Sequence, residues 1–150
     1  KKGFNKKNFQ NLHPKGSLGA QLKTAEDLMI KKKGIPFINE NSNMKHALNI
    51  ITKKKLGVLI ALNKKKLTTG IITDGQIRRS TQKNNNLKKL LVKNIMTKKP
   101  ISVEKDMLAS KSLSIMSEKK ITSLCVHKNK KKTWTIGLLH LHALLKANIE

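Results

Sequence analysis

Two stretches of the chain carry apolar residues at helical spacing. They are SNMKHALNIITKKK (42–55) and DMLASKSLSIMSEKK (106–120). In the first, the positions i, i+3, i+4 and i+7 are Met44, Ala47, Leu48 and Ile51. Because one face is apolar and the other is rich in lysine, each stretch is typical of a helix that lies on a sheet. We expect Ser42 and Asp106 to be the N-caps, since a short side-chain oxygen can accept from the free amides of the first turn.

A pair of predicted strands follows each helix. The first pair is LGVLIAL (56–62) and LTTGIIT (67–73), and the second pair is ITSLCVH (121–127) and TWTIGLLH (133–140). Short lysine-rich segments separate the members of each pair, which predicts two hairpins with solvated tips. A further short helix is expected after each hairpin, in GQIRRSTQK and in LHALLKANIE.

The same order of elements therefore occurs twice. Residues 25–79 align with residues 92–146, and the copies open with AEDLM and VKNIM. We predict an α/β (α+β) fold of two β-α-β-β-α repeats, packed with pseudo-twofold symmetry, because units of about 60 residues are too small to be stable alone. The predicted domains are residues 25–84 and residues 85–150, the second including the joining segment.

Charge and composition add a second hypothesis. The net charge is +25, with 33 Lys and Arg against 8 Asp and Glu, which is compatible with a Lys-rich nucleic-acid-binding domain. Against this, only Arg78 and Arg79 are arginines and the chain has no tyrosine, so base readout and stacking are poorly supported. The single cysteine, Cys125, favours a reducing cytoplasm, and no apolar run reaches the length of a membrane span.

The repeats resemble a tandem pair of cystathionine-β-synthase (CBS) domains. The similarity rests on the xxxM openings, the order of elements, the ITSLCV strand and the Gly-apolar-apolar-Thr turn, and it covers residues 25–150. The segment LHPKGSLGAQL (12–22), with GIITDGQIRR and GLLHLHALL, is similar to bacterial D-arabinose-5-phosphate isomerases. In that family a sugar-isomerase domain precedes the CBS pair, so residues 1–24 are expected to be the linker from it.

This resemblance implies a parent enzyme that converts ribulose 5-phosphate to arabinose 5-phosphate, in Kdo and lipopolysaccharide biosynthesis. The isomerase histidine of the family matches His13, whose imidazole suits proton transfer near neutral pH. His13 could act only together with the isomerase domain, so we expect no catalysis by this chain alone. The resemblance also implies a homodimer through the CBS pairs and a tetramer in the parent enzyme.

CBS pairs resemble one another in binding adenosyl or other nucleotides in clefts between the copies, where the usual pattern is G-apolar-apolar-T-x-x-D. The two expected aspartates are replaced here by Gln76 and Ala143, which puts ordinary AMP or ATP binding in doubt. The resemblance implies nine candidate nucleotide-binding residues: Thr73, Asp74, Gln76, Arg78, Arg79, Thr122, Ser123, His140 and His142. For the candidate residues of the first copy, the alternative is an Asp-Gly turn that caps a helix.

The histidines of the second copy raise one further alternative. His140 and His142 lie two residues apart, and His127 and Cys125 lie on the preceding strand, so a zinc site is an alternative interpretation. Polar residues at a cleft explain the pattern more simply, and we predict no metal and no required cofactor. The sequence thus predicts a cytoplasmic regulatory and dimerisation module that senses a nucleotide such as CMP-Kdo, AMP or ATP, or else a purely structural CBS scaffold.

Overall fold

The computed structural model describes residues 18–83 and 85–150. The helices are α1 (Leu18–Gln21), α2 (Ala25–Leu28), α3 (Met44–Lys54), α4 (Asp74–Lys83), α5 (Val92–Ile95), α6 (Ala109–Lys119) and α7 (Leu141–Lys146), with 3-10 turns at Lys32–Gly34 and Leu87–Lys89. The strands are β1 (Ile30–Lys31), β2 (Phe37–Asn39), β3 (Val58–Leu62), β4 (Thr68–Thr73), β5 (Thr97–Lys98), β6 (Ser102–Glu104), β7 (Ser123–His127) and β8 (Thr135–His140).

These elements form two compact units. The first unit contains residues 31–101 and 133–136, and the second contains residues 102–132 and 137–150 with the described residues up to Ile30. Each unit has a four-stranded sheet, in the order β2-β3-β4-β5 in the first and β1-β8-β7-β6 in the second. This mixed architecture confirms the fold class predicted from the repeated pattern.

The first sheet mixes parallel and antiparallel pairing. Strand β2 runs parallel to β3, with Phe37 opposite Ile60, and β3 and β4 form the predicted hairpin. Helix α3 crosses from β2 to β3, as a parallel pair requires. Of its apolar stripe, Leu48 is only half-buried, whereas the other three residues pack in a core made of Ile38, Met44, Ala47, Ile51, Leu59, Ala61, Ile72, Leu87 and Val92.

The second sheet repeats the plan. Strand β6 runs parallel to β7, with Ser102 opposite Cys125, and helix α6 connects them. All five residues of β7 are buried, so its near-continuous apolar run reflects a strand covered on both faces. The connection between β3 and β4 covers residues 63–67, and the one between β7 and β8 covers 128–134, so the lysine-rich segments do form hairpin tips.

Both predicted N-caps are wrong. Asn43, not Ser42, caps α3, and its Oδ1 accepts from the amide of His46 at 2.9 Å. Helix α6 starts later than the sequence suggests, with Leu108 at the N-cap and no side-chain hydrogen bond there. Asp106 instead pairs with the neighbouring Lys105 ammonium at 3.3 Å.

Backbone contacts with distant segments explain these starts. The amide of Met44 donates to the carbonyl of Leu90 at 2.8 Å, and the amide of Ala109 donates to the carbonyl of Lys23 at 2.8 Å. A first-turn amide that is bound by another segment needs no side-chain cap, which is the situation at the start of α6. These bonds also show that α2, the opening of the first sequence repeat, lies in the second unit, whereas α5, the opening of the second repeat, lies in the first unit.

Candidate functional site

The turn from β4 into α4, here called the first elbow (residues 73–76), is held against the start of β3. The amide of Asp74 donates to the carbonyl of Gly57 at 3.0 Å. Gly57 has φ +69°, and a Cβ at this position would lie 2.8 Å from Oδ2 of Asp74. A glycine is therefore needed at 57 for two reasons, the left-handed backbone and the close Asp74 carboxylate.

Thr73 and Gln76 form a reciprocal capping box at this elbow. The amide of Thr73 donates to Oε1 of Gln76 at 3.0 Å, and the amide of Gln76 donates to Oγ1 of Thr73 at 3.4 Å. This satisfies two backbone donors of the first turn of α4. The signature of a threonine followed three residues later by glutamine was visible in the sequence, so the box could have been predicted from it. The alternative of an Asp-Gly turn as the cap is not what the structure has: Asp74 and Gly75 lie in the first turn of α4, and the cap is Thr73.

Gln76 also reaches a segment far away in sequence. Its Nε2 donates to Oγ1 of Thr97, and it lies 3.5 Å from the carbonyl oxygen of Ile95. These two acceptors lie at β5 and the end of α5, in the stretch that opens the second sequence repeat. No local pattern could have indicated this link, because it depends on where α5 packs.

The two arginines lie on the same helix as the elbow, and both are exposed. A Cβ on Gly75 would lie 3.3 Å from a guanidinium nitrogen of Arg79, so this cation folds back over the first turn. Arg78 and Arg79 form no ion pair with any residue in the described part of the chain. Positive charge and the amides of a helix start together favour an anionic group.

The turn from β8 into α7, the second elbow (residues 140–143), repeats one contact of the first. The amide of Leu141 donates to the carbonyl of Thr122 at 2.8 Å, as Asp74 does to Gly57. His140 is the N-cap of α7, and its Nδ1 accepts from the amide of His142 at 3.1 Å. The two imidazole rings lie 4.5 Å apart. Histidine therefore does here what threonine does in the first elbow, because an unprotonated Nδ1 is a hydrogen-bond acceptor.

The candidate residues form two groups, one in each unit. Thr73, Asp74, Gln76, Arg78 and Arg79 belong to the first unit, and Thr122, Ser123, His140 and His142 belong to the second. Thr122 is exposed, whereas Ser123 is buried at the start of β7. Their role in nucleotide binding stays a prediction. His13 lies outside the described residues.

The histidines of the second unit do not form a metal cluster. Within residues 18–83 and 85–150, no three His, Cys, Asp or Glu side chains lie close enough to hold an ion. His127 is almost fully buried, and its Nδ1 lies 2.6 Å from Oγ of Ser102 on the adjacent strand. Burial lowers the pKa of His127, Glu104 opposes that effect, and Lys132 adds to it.

In the described part of the chain, no helix has the length and apolar character that crossing a bilayer would require.

Comparison with protein families identifies the repeats. The family model for the CBS domain matches residues 25–82 and again residues 92–150. An uncharacterized protein of Rickettsia prowazekii, RP505, is 31% identical over 148 residues, which are 99% of this chain and 45% of that protein. The arabinose 5-phosphate isomerase KdsD of Salmonella typhi is 32% identical over 149 residues, 99% of this chain and 44% of the isomerase. The chain thus spans less than half the length of these relatives.

Solved structures show the same fold. A conserved protein of Pyrococcus horikoshii has a TM-score of 0.75 at 19% identity, covering 87% of this chain and 95% of that one. CBSX2, solved in complex with AMP, has a TM-score of 0.70 at 19% identity, covering 83% and 94%. The CBS domain of a bacterial CNNM/CorC Mg2+ transporter, solved in complex with ATP, has a TM-score of 0.72 at 15% identity, covering 87% and 90%.

Proposed function

The chain belongs to the CBS-domain family as a tandem pair, and on that premise we propose that it is a nucleotide-responsive regulatory module of an arabinose-5-phosphate isomerase. The observation that carries the proposal is the match along 99% of the chain, at 32% identity, to 44% of the isomerase KdsD. The parent enzyme would interconvert ribulose 5-phosphate and arabinose 5-phosphate, and His13 would contribute to its active site. That activity requires the sugar-isomerase domain of the parent.

The ligand proposed for the module is a nucleotide. Structural neighbours have been solved with AMP and with ATP, and this chain has the corresponding fold. Beside the first elbow, Arg78 and Arg79 of α4 supply two cations close to a helix start, which suits a phosphate group. In the second elbow, His140 and His142 supply two neighbouring, mutually tilted imidazole rings beside the exposed Thr122. The candidate ligands are AMP, ATP and CMP-Kdo, the end product of the pathway.

Such a ligand would regulate by preferring one arrangement of the pair. A conformational equilibrium shifts only as far as the affinities for its two states differ. The nucleotide would therefore act on the parent isomerase through its differential binding to the CBS pair, without contacting the sugar phosphate.

Calorimetric titration of the chain with AMP, ATP, CMP and CMP-Kdo tests the proposal. We expect saturable binding of at least one ligand below millimolar concentration. The variant Arg78→Ala/Arg79→Ala should weaken it about tenfold, since a charged hydrogen bond contributes roughly 1.5–3 kcal/mol. Lys64→Ala/Lys65→Ala removes the same charge from an exposed hairpin tip and should have a smaller effect. Silence of all four ligands at millimolar concentration would refute nucleotide sensing.

The second candidate function is a structural scaffold that dimerises the parent enzyme. The observation that favours it is the absence of a carboxylate at both positions where the family pattern places one, Gln76 and Ala143. Sedimentation equilibrium separates the two functions. A dimer whose dissociation constant is unchanged by every nucleotide supports the scaffold, and a dimer that responds to one of them supports regulation.

The parent activity has its own test. Full-length protein, with its isomerase domain, should convert ribulose 5-phosphate to arabinose 5-phosphate. His13→Asn should abolish turnover, whereas His46→Asn, at an exposed histidine of α3, should leave it unchanged. Equal activity of the two variants would mean that His13 is not part of the active site.

A further inference from the structure

We infer that Gln76 is a specificity-determining residue that closes the first elbow, so that a ligand must displace its side chain in order to bind Thr73. This inference rests on the proposed nucleotide-binding function and names the regulation of that same site. It follows from the hydrogen bonds that Thr73 already makes.

The amide and the hydroxyl of Thr73, at the start of α4, are both bound by Gln76. Its amide donates to Oε1 of Gln76 at 3.0 Å, and its hydroxyl donates to the same oxygen at 3.4 Å. The hydroxyl oxygen also accepts from the amide of Gln76 at 3.4 Å. A ligand oxygen or hydroxyl that approaches Thr73 therefore competes with an intramolecular partner that is already in position.

The other end of the carboxamide is fixed as well. Nε2 of Gln76 donates to Oγ1 of Thr97 and lies 3.5 Å from the carbonyl of Ile95. Oε1 faces donors and Nε2 faces acceptors, so a flipped carboxamide would place like groups against each other. The side chain is thus held at both ends, and it joins the elbow to the strand β5.

At the second elbow, the residue in the position of Gln76 cannot make these bonds. The residue three positions after the cap His140 is Ala143, as Gln76 is three positions after Thr73. A methyl group neither donates nor accepts, so it cannot compete for the hydrogen bonds of a ligand. The two elbows of the chain therefore differ. The first opens only when Gln76 moves, whereas Ala143 cannot take that role in the second.

Two consequences follow for the first elbow. Ligands that need Thr73 bind it more weakly than they would without Gln76, and their binding releases Thr97 and Ile95. Occupation of this elbow is then transmitted to α5 and β5, the segment that opens the second sequence repeat.

The experiment uses Thr97→Val, which removes the distant acceptor and leaves the capping box intact. Thr81→Val is the matched control, because the Thr81 hydroxyl bonds only the carbonyl of Ile77 in its own helix, at 2.9 Å. Gln76→Ala and Gln82→Ala form a second pair on α4. The coupling of Gln76 to Thr97 is measured without any ligand, by a double-mutant cycle on urea unfolding and by amide exchange of Thr73.

We expect the Gln76→Ala and Thr97→Val effects to be non-additive by at least about twofold in the unfolding equilibrium constant. The Thr73 amide should exchange faster in Thr97→Val than in Thr81→Val. Calorimetry with AMP, ATP and CMP-Kdo should show tighter binding to Thr97→Val, by about threefold or more, and no change for Thr81→Val. Additive effects with unchanged exchange would overturn the closure itself. If Gln76 and Thr97 are coupled but no variant binds a nucleotide, the proposed nucleotide-binding function is refuted. The role of Gln76 in closing the elbow against a ligand is then refuted as well.

Discussion

Met96 lies directly over Gly70, at a point where a side chain on the glycine would have no room. A Cβ at Gly70 would fall 2.6 Å from Cγ of Met96 and 3.0 Å from its Cβ. Met29 covers Gly137 in the same way, with its Cγ 2.7 Å from the site of a Cβ. Each xxxM opening therefore places its methionine on the glycine of the strand that precedes an elbow, in β4 and in β8. The two glycines are required for this packing.

The first prediction concerns this contact. Gly70→Ala should destabilise the first unit by about 1–3 kcal/mol, the usual cost of inserting atoms into a packed core. Urea unfolding measures the change. Gly19→Ala is the control, because nothing lies within 4 Å of a Cβ there.

A rescue experiment separates crowding from other causes. If the methyl group added by Gly70→Ala collides with Met96, the loss of stability should largely disappear in a Met96→Ala background. An equal cost in both backgrounds would show that the methionine is not the obstacle.

Helix capping gives the second prediction. Asn43→Ala should cost about 1 kcal/mol of stability, because the Asn43 side chain accepts from the His46 amide at the start of α3. Ser42→Ala should cost much less, since Ser42 contributes its carbonyl, which accepts from the amide of Val92. Thermal or urea unfolding of the two variants shows which of the two residues is the N-cap of α3. If Ser42→Ala lost more stability than Asn43→Ala, Ser42 would be the N-cap, as predicted from the sequence.

These caps mark the limit of what the sequence could predict. The i, i+3, i+4, i+7 stripe located α3 correctly, and the paired apolar runs located both hairpins, because these patterns depend on neighbouring residues. The starts of α3 and α6 depend on Leu90 and Lys23, which bind the first amides from far along the chain. No local pattern indicates such partners.

At the elbows, too, contacts between neighbouring residues could be predicted from the sequence and contacts with distant segments could not. The capping box of Thr73 and Gln76 could have been read from their spacing, whereas the bond from Gln76 to Thr97 could not. The glycines of β4 and β8 belong to a turn motif that the sequence shows. Their partners, Met29 and Met96, were visible in the repeat, but the sequence alone did not show that each methionine covers a glycine in the other repeat.

Gly57 provides the third prediction. Gly57→Ala should destabilise the protein by about 1–2 kcal/mol, because φ is +69° and left-handed backbone is unfavourable for residues with a Cβ. The new Cβ would also push the Asp74 carboxylate away from its place. Gly75→Ala, in the first turn of α4, places a Cβ 3.3 Å from the flexible Arg79 guanidinium and at an ordinary contact distance of 3.8 Å from Oγ1 of Thr73, so it should be tolerated.

Unfolding by urea compares the two glycine variants, and ligand titration adds a second measure. Since Asp74 lies in the first elbow, Gly57→Ala should also alter any nucleotide binding there. If Gly75→Ala were the more damaging substitution, the account of Gly57 would be wrong.

The fourth prediction is a loss of stability in mild acid. Burial lowers the pKa of His127 in the folded chain, and the attraction of Glu104 only partly offsets it. The folded state therefore prefers the neutral imidazole, which is bound to Ser102, more than the unfolded state does. Its stabilising effect is complete above the unfolded pKa of about 6.5 and declines as the pH falls below that value.

Urea unfolding between about pH 5 and pH 8 measures this dependence. His127→Gln keeps a polar side chain beside Ser102 but cannot gain a proton, so its unfolding free energy should fall less steeply with acid than that of the wild type. His46→Gln removes an exposed histidine and should keep the wild-type slope. Parallel curves for the wild type and His127→Gln would mean that another group causes the acid sensitivity, because only a side chain that is harder to protonate when folded can produce a difference of this sign.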